Sequence, residues 1–272
     1  MIQQIISTNY FLVLSMKFII LGCGSSMGVP RADGFYGKCD PNNKKNVRTR
    51  CSALLKTNYS NILIDTSPDL RSQLINNKIN SIDKVLYSHM HADQTHGIND
   101  LRVFFIKNKK PLDVYADNET RKYFNKNFSY YFKSFSDEYP ATLNLKPIKK
   151  KIFFKKKGEK INIRCIKVKH GSVSSICYIF NKKIAYISDV SKIFQKDYKY
   201  FKNLKYLVID CLWYRNHPSH LNLEKALELI KAFSPKKAVL TNLHSDLDYK
   251  ELKSKLRKNV IPAYDGLSLV FL

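Results

Sequence analysis

The densest group of chemically versatile side chains in this 272-residue sequence lies between His89 and Gly97. Two imidazoles, His89 and His91, stand two residues apart, and the carboxylate of Asp93 follows two residues later. Alternate residues of an extended segment point to one side, so a single loop can present all three groups together. Imidazole and carboxylate are ligands for zinc, iron and manganese. A polar loop whose histidines bond only to backbone is the alternative, and the density of the cluster favours a metal site.

A metal site built on this loop needs at least one ligand from elsewhere in the chain. His170, Asp189 and His244 each end or follow a segment with the pattern of a strand. The carboxyl ends of strands are where α/β sheets gather their active sites. Each residue alone is equally compatible with a loop or cap role, but their shared position favours a joint site.

The elements that must position these residues alternate between strand and helix patterns along the whole chain. The run KVLY precedes His89, and the helical pattern INDLRVFFIKN follows the loop. A helix is predicted across NETRKYFNKNFSYYF, and an edge hairpin across residues 149–160. The alternation predicts one α/β layered domain over residues 16–272. Residues 1–15 are predicted to be an N-terminal extension, either disordered or preceding the true start at Met16.

The chain carries 47 basic and 22 acidic residues, a formal charge of +25. Such an excess attracts phosphates, so an anionic substrate is expected. Lysine-rich composition also gives a solvated basic surface, which we favour over a nucleic-acid groove. In the segment KYFNKNFSYYFKSF, bases and aromatic rings alternate as in single-strand binding surfaces, but the spacing favours the buried face of a helix.

Six cysteines are scattered without any CxxC pair, which favours a reducing compartment and a cytoplasmic protein. No apolar run reaches the roughly 18 residues of a membrane span, so no membrane association is expected. The sequence leaves a monomer and a homodimer both open.

The order HxHxD, His, Asp, His resembles the metallo-β-lactamase superfamily from about Lys17 to the C-terminus. The segments ILGCGSSMGVPR, HADQTHGINDLR and PAYDG resemble its phosphodiesterase branch and are similar to phosphoribosyl cyclic phosphodiesterases. The tRNA 3′-processing endonucleases are more distant relatives. The resemblance implies a four-layer αββα sandwich with two divalent metals, zinc or manganese, at one edge of the sheets.

The resemblance also implies a role for each ligand. His89, His91 and His170 would hold the first metal, Asp93 would belong to the second, and Asp189 would bridge both. Two cations about 3.5–4 Å apart share a hydroxide and clamp the attacking and leaving oxygens of a phosphodiester. Asp93 and Asp189 are therefore predicted to be catalytic.

Two positions depart from the family pattern. Gln94 stands where the motif HxHxDH has a histidine, and Asn242 stands where a histidine follows Leu-Thr. In an extended segment residues 242 and 244 face one side, so His244 is expected to replace the missing ligand. The second metal site is predicted to be weaker, or to fill only when substrate phosphate helps, with Gln94 and Asn242 as substitute ligands.

His220 matches a histidine that acts in related phosphodiesterases as a general acid or stabilises the phosphate. His217 is its local competitor for contact with substrate, and a packed or capping histidine is the alternative. Asp65 and Asp210 also end strand patterns, and they are predicted to orient ligand histidines.

Two further residues are candidates for contact with a substrate phosphate. Ser25 lies in the glycine loop GCGSSMGVPR, which suits either an anion-binding loop or a plain turn. Arg102 follows the metal loop and either reaches substrate or pairs with Asp100.

The leading prediction is a metal-dependent phosphodiesterase that cleaves a small cyclic phosphate or nucleotide. An RNA-processing nuclease, with nucleic acid as partner, is the enzymatic alternative. A metal-binding protein with little hydrolytic activity is the other.

Overall fold

The computed structural model describes residues 16–271, so the predicted extension at 1–15 lies outside it. Fourteen strands, numbered in chain order, form two seven-stranded sheets. The strands of the first sheet are β1 (Met16–Gly22), β2 (Ser52–Lys56), β3 (Asn61–Ile64), β4 (Lys84–Leu86), β5 (Leu112–Ala116), β6 (Leu143–Pro147) and β14 (Ser268–Phe271). Those of the second are β7 (Lys151–Lys156), β8 (Glu159–His170), β9 (Val173–Phe180), β10 (Ile184–Ile187), β11 (Tyr206–Asp210), β12 (Lys237–Thr241) and β13 (Val260–Pro262).

Each sheet combines antiparallel and parallel neighbours. The order is β14-β1-β2-β3-β4-β5-β6 in the first and β13-β12-β11-β10-β9-β8-β7 in the second. Strands β3 to β6 are parallel to one another, as are β10 to β13. Parallel neighbours bring their carboxyl ends to one edge of each sheet, and that is where the predicted site residues follow β4, β10, β11 and β12.

Residues 16–271 contain six α-helices. They are α1 (Leu70–Asn76), α2 (Ala92–Thr95), α3 (Arg102–Asn108), α4 (Asn118–Asn127), α5 (Leu223–Phe233) and α6 (Tyr249–Ser254). Of these, α2 is a single turn within the loop that follows β4. The side chains of Asp117, Asn222 and Asp248 accept hydrogen bonds from first-turn N–H groups of α4, α5 and α6, which fixes where these helices begin.

Alternation along the strands divides the apolar residues between three cores. Phe18 and Ile20 of the first sheet pack with Tyr178 and Val208 of the second in the core between the sheets. Two further clusters lie under the helices on the outer faces. The predicted αββα sandwich is therefore confirmed, because each sheet is buried on both faces.

The aromatic segment predicted as one helix is shorter than expected. Helix α4 ends at Asn127, and a 3₁₀ turn follows at Ser129–Tyr131. Phe124 is fully buried and its ring lies 5.8 Å from that of Phe132, so these two aromatics pack in the core. Within residues 16–271, no helix has both the length and the apolar character needed to cross a bilayer.

Candidate metal centre

The metal-ligand loop begins where β4 ends. The backbone N–H of Ser88 donates to Asp65 Oδ1 at 2.6 Å, which anchors the start of the loop. His91 is extended (φ −61°, ψ 153°), and α2 begins at the next residue. The Thr95 hydroxyl donates to the His91 carbonyl at 2.9 Å. His91 therefore sits in extended backbone, while Asp93 occupies the first helical turn.

Gly97 shows how closely this loop packs on the strand end beside it. A Cβ atom there would lie 2.0 Å from the Ser67 carbonyl oxygen. Only glycine allows that approach, so the residue after the cluster is dictated by packing rather than by chemistry.

Three imidazoles converge at the centre. His91 Nδ1 lies 3.0 Å from His89 Nε2 and 3.3 Å from Nε2 of His170, the last residue of β8. Four ligands held tetrahedrally at about 2.0–2.1 Å from zinc are about 3.3 Å apart. The spacing and the chemistry of these nitrogens therefore fit a divalent cation.

The outer nitrogens of two rings have partners that fix their orientation. His89 Nδ1 lies 3.0 Å from the Ser88 hydroxyl, and His170 Nδ1 donates to the Ser219 carbonyl at 2.7 Å. Such contacts orient metal-bound imidazoles and select the tautomer with a free lone pair. Burial lowers the pKa of His89 to about 3 and also lowers that of His91, so both rings are neutral and able to bind a cation at neutral pH.

Two aspartates lie beside the imidazoles: Asp189 is buried and Asp93 is half-buried. Asp189 joins His170 and His220 in a group whose ligand atoms all lie within 4.8 Å of one another. Burial raises the pKa of Asp189, but nearby His89 and the other imidazoles lower it more, so the carboxylate stays ionised. Burial, reinforced by the charge of Asp189, raises the pKa of Asp93 to about 6.

His220 lies beside the cluster, and the centroid of its ring is 4.6 Å from that of His170. Its Nδ1–H donates to Asp210 Oδ2 at 2.8 Å. Burial lowers the pKa of His220, but the Asp210 carboxylate raises it further, to about 9. Burial in turn raises the pKa of Asp210 to about 6, against the opposite effect of His220. Asp210 thus orients His220, whereas Asp65 contacts Ser88 rather than a histidine.

Two amides occupy the positions where the family pattern has histidines. Gln94 Nε2 lies 3.2 Å from both Asp93 Oδ2 and Asp189 Oδ2. Asn242 Nδ2 lies 3.2 Å from Asp210 Oδ1 and 3.4 Å from Asp189 Oδ1. Both amides present hydrogens, not lone pairs, to the carboxylates of the centre.

The structure does not bring His244 into this group. Asn242 has a φ of 62°, in the left-handed region, so the chain turns there and the extended segment assumed from the sequence is interrupted. The His244 ring lies 4.5 Å from that of Trp213, and its Nδ1 accepts from Asp246 N at 3.2 Å. The expected replacement of the missing ligand by His244 is therefore not what the backbone allows.

The remaining predicted residues lie around the centre. Ser25 is buried, and its N–H donates to Leu243 O, while those of Gly24 and Val29 also donate to backbone carbonyls. These bonds give the glycine loop the character of a structural turn. His217 accepts from Ser219 N at 3.3 Å, and its ring lies 5.1 Å from that of His220.

Arg102, at the start of α3, is exposed, and the Asp100 carboxylate accepts a hydrogen bond from Arg71 N instead of pairing with it. Sequence reasoning did not identify Ser88 and Ser219, which contact His89 and His170. Serine beside histidine is too common to be a signal.

The family model for the beta-lactamase superfamily domain matches residues 60–242. The chain therefore belongs to the metallo-β-lactamase fold superfamily. A curated Porphyromonas gingivalis protein named octanoyltransferase is 31% identical over 259 residues, which cover 94% of this chain and 51% of that protein. The chain thus spans about half the length of this relative.

Solved structures agree with this family. A diphosphatase of the PhnP family superposes with a TM-score of 0.83 at 26% identity, covering 94% of this chain and 97% of that one. Zinc-bound PqqB from Methylobacterium extorquens gives a TM-score of 0.71 at 15% identity, covering 93% and 99%. The second likeness shows the fold alone.

Proposed function

We propose that this chain is a phosphodiesterase that hydrolyses a small anionic phosphate, such as a cyclic phosphate or a nucleotide. The observation that carries the proposal is a proton-bearing histidine, His220, held by Asp210 beside a cluster of metal-binding imidazoles. Similarity to a diphosphatase at 26% identity supports phosphorus over a carbonyl carbon as the centre attacked. The net charge of +25 would draw such a substrate toward the protein.

The residues that would hold a divalent cation are His89, His91, His170 and Asp189. Three nitrogens and one carboxylate suit zinc, and manganese accepts the same ligands. A bound cation there acts as a Lewis acid toward a phosphoryl oxygen and lowers the pKa of water. Ser88 and the Ser219 carbonyl keep the imidazoles in the binding orientation.

His220 supplies the proton for the leaving oxygen. Its Nδ1–H is committed to Asp210, so Nε2 holds the proton that can be transferred to an alkoxide as the ester bond breaks. The Asp210 carboxylate stabilises the imidazolium before transfer. Because His220 is largely buried, little water competes for that proton.

The test is turnover of bis(p-nitrophenyl) phosphate, a cyclic nucleotide and a nucleoside diphosphate by protein stripped of metal and refilled with zinc or manganese. We expect metal-dependent hydrolysis that Asp189→Ala abolishes. Folded, metal-loaded protein that cleaves a lactam or thioester but none of the phosphorus esters would overturn the proposal. Cleavage of RNA with a steep dependence on salt would overturn the small-substrate assignment.

A further inference from the structure

The amide of Gln94 has a defined orientation in the centre. Gln94 is fully buried, and its Nε2 lies 3.2 Å from each of two carboxylate oxygens, on Asp93 and Asp189. Ionised carboxylates only accept hydrogen bonds, so the nitrogen end of the amide, not the oxygen end, must face them. An amide NH₂ offers two hydrogens and no free lone pair. In this orientation the Gln94 NH₂ group bridges the two carboxylates.

Asn242 does the same on the opposite side. Its Nδ2 lies 3.0 Å from the Ser188 carbonyl oxygen, 3.1 Å from His220 Nδ1, 3.2 Å from Asp210 Oδ1 and 3.4 Å from Asp189 Oδ1. The three oxygens among these neighbours are acceptors, so here too the nitrogen end of the amide faces inward. The left-handed backbone of Asn242, a conformation that asparagine tolerates better than most residues, directs the amide to this position.

The ligand groups among residues 16–271 agree with these orientations. Two groups of three histidine or acidic residues converge closely enough to hold an ion: His89, His91 and His170 in one, and His170, Asp189 and His220 in the other. Both need His170, and its Nδ1 is committed to the Ser219 carbonyl, so its one free nitrogen can serve only one ion. Asp93 belongs to neither group, and neither does His244. Asp93 therefore has an amide hydrogen as its neighbour where a second cation would need further ligands.

We infer that this centre holds one divalent cation, at the three imidazoles with Asp189 beside His170, and that the amides of Gln94 and Asn242 take the place of a second. Buried carboxylates require compensation, and amide hydrogens supply it through hydrogen bonds rather than through a full positive charge. A second ion would have to displace both amides from acceptors that they already satisfy. The inference concerns metal content and holds whichever phosphate ester is cleaved.

The experiment counts ions in four proteins: the native chain, Gln94→His, Asn242→His and the double variant. Metal-stripped protein is titrated with Zn²⁺ in a calorimeter, and bound zinc is measured by elemental analysis after gel filtration. The native chain should bind one ion and the double variant two. When Co²⁺ replaces zinc, the absorption spectrum of the double variant should show a second set of bands from the additional ion. His244→Asn is the matched control, an imidazole removed near the centre, and it should still bind one ion.

Two ions in the native chain would overturn the inference, as would loss of an ion in His244→Asn. A folded double variant that still binds one ion would overturn the role assigned to the amides. If that variant fails to fold by circular dichroism, Asp93→Asn in the native background decides instead: it should keep its ion, and loss of an ion contradicts the inference. Absence of phosphoester turnover leaves these counts unchanged, so failure of the proposed function is recognised separately.

Discussion

The imidazole side of the centre, formed by His89, His91 and His170, turns ring nitrogens toward one another at 3.0 and 3.3 Å. On the amide side, Gln94 and Asn242 turn hydrogens toward carboxylate oxygens at 3.2–3.4 Å. Converging lone pairs repel unless a cation lies between them, whereas carboxylates that accept amide hydrogens are already compensated. Burial alone therefore does not make a metal site. A metal site also requires that lone pairs, rather than hydrogens, face the position of the cation.

Removal of an imidazole should have the largest effect on the difference between the two sides. His91→Ala takes away the nitrogen that both other rings approach, so we expect loss of the bound ion and a fall in kcat/KM of more than about a thousandfold. Elemental analysis and phosphoester turnover measure both effects. His96→Ala is the control, because His96 lies in the same loop but contacts Tyr123 on the surface. A His91→Ala protein that retains its ion would refute the ligand set.

Removal of the proton donor should act on turnover without acting on metal. For His220→Asn we expect kcat to fall about 10²–10⁴-fold, since general acid catalysis contributes that much, with the ion retained. The loss should be larger for an alkyl ester than for a p-nitrophenyl ester, whose leaving group needs little protonation. Equal losses for both leaving groups would mean that His220 does not donate the proton.

A smaller effect should follow from loosening one ring on the imidazole side. Ser88→Ala removes the hydroxyl that lies 3.0 Å from His89 Nδ1. Contacts of this kind are worth about 10–100-fold in metal affinity, so the Kd for zinc should rise by that factor while the number of ions stays the same. Competition with a chelator of known affinity measures the change, and an unchanged Kd would show that the serine does not orient the ring.

The smallest effect is on the pH dependence of stability in metal-stripped protein. The folded pKa of His220, about 9, exceeds its ordinary value of 6.5, so its pairing with Asp210 stabilises the fold fully below pH 6.5. That contribution is lost as the pH rises through 9. The difference in free energy of unfolding between native and His220→Asn protein should therefore narrow from pH 6.5 to 9.5 in urea titrations. A difference in free energy of unfolding that stays constant over this pH range would contradict the stabilising role of the His220–Asp210 pair.

The loop from His89 to Asp93 could be predicted because its ligands are adjacent in the chain and their spacing alone carries the signal. The hairpin at residues 149–160 was also confirmed, since β7 and β8 pair there at the edge of the second sheet. The position of His244 could not be predicted. It depends on one left-handed residue, Asn242, whose φ follows from tertiary contacts and not from the local pattern.

The groups that contact the outer nitrogens of the imidazoles could not be predicted from the sequence either. Ser219 contacts His170 across 49 positions in the chain, and the contact uses a backbone carbonyl that every residue possesses. Residue type therefore carried no information about it. The fold class was easier to predict because alternating strands and helices are a property of whole segments, which single contacts do not change.

The ligands of the proposed cation come from both sheets: His89 and His91 follow a strand of the first, and His170 ends a strand of the second. His91 and His170 are 79 positions apart. A cross-link that closes a loop of this length lowers the chain entropy of the unfolded state by an amount worth on the order of 4 kcal/mol. The proposed ion would thereby also join the two halves of the sandwich, and chelation should make the protein susceptible to proteases at concentrations that leave the loaded form intact.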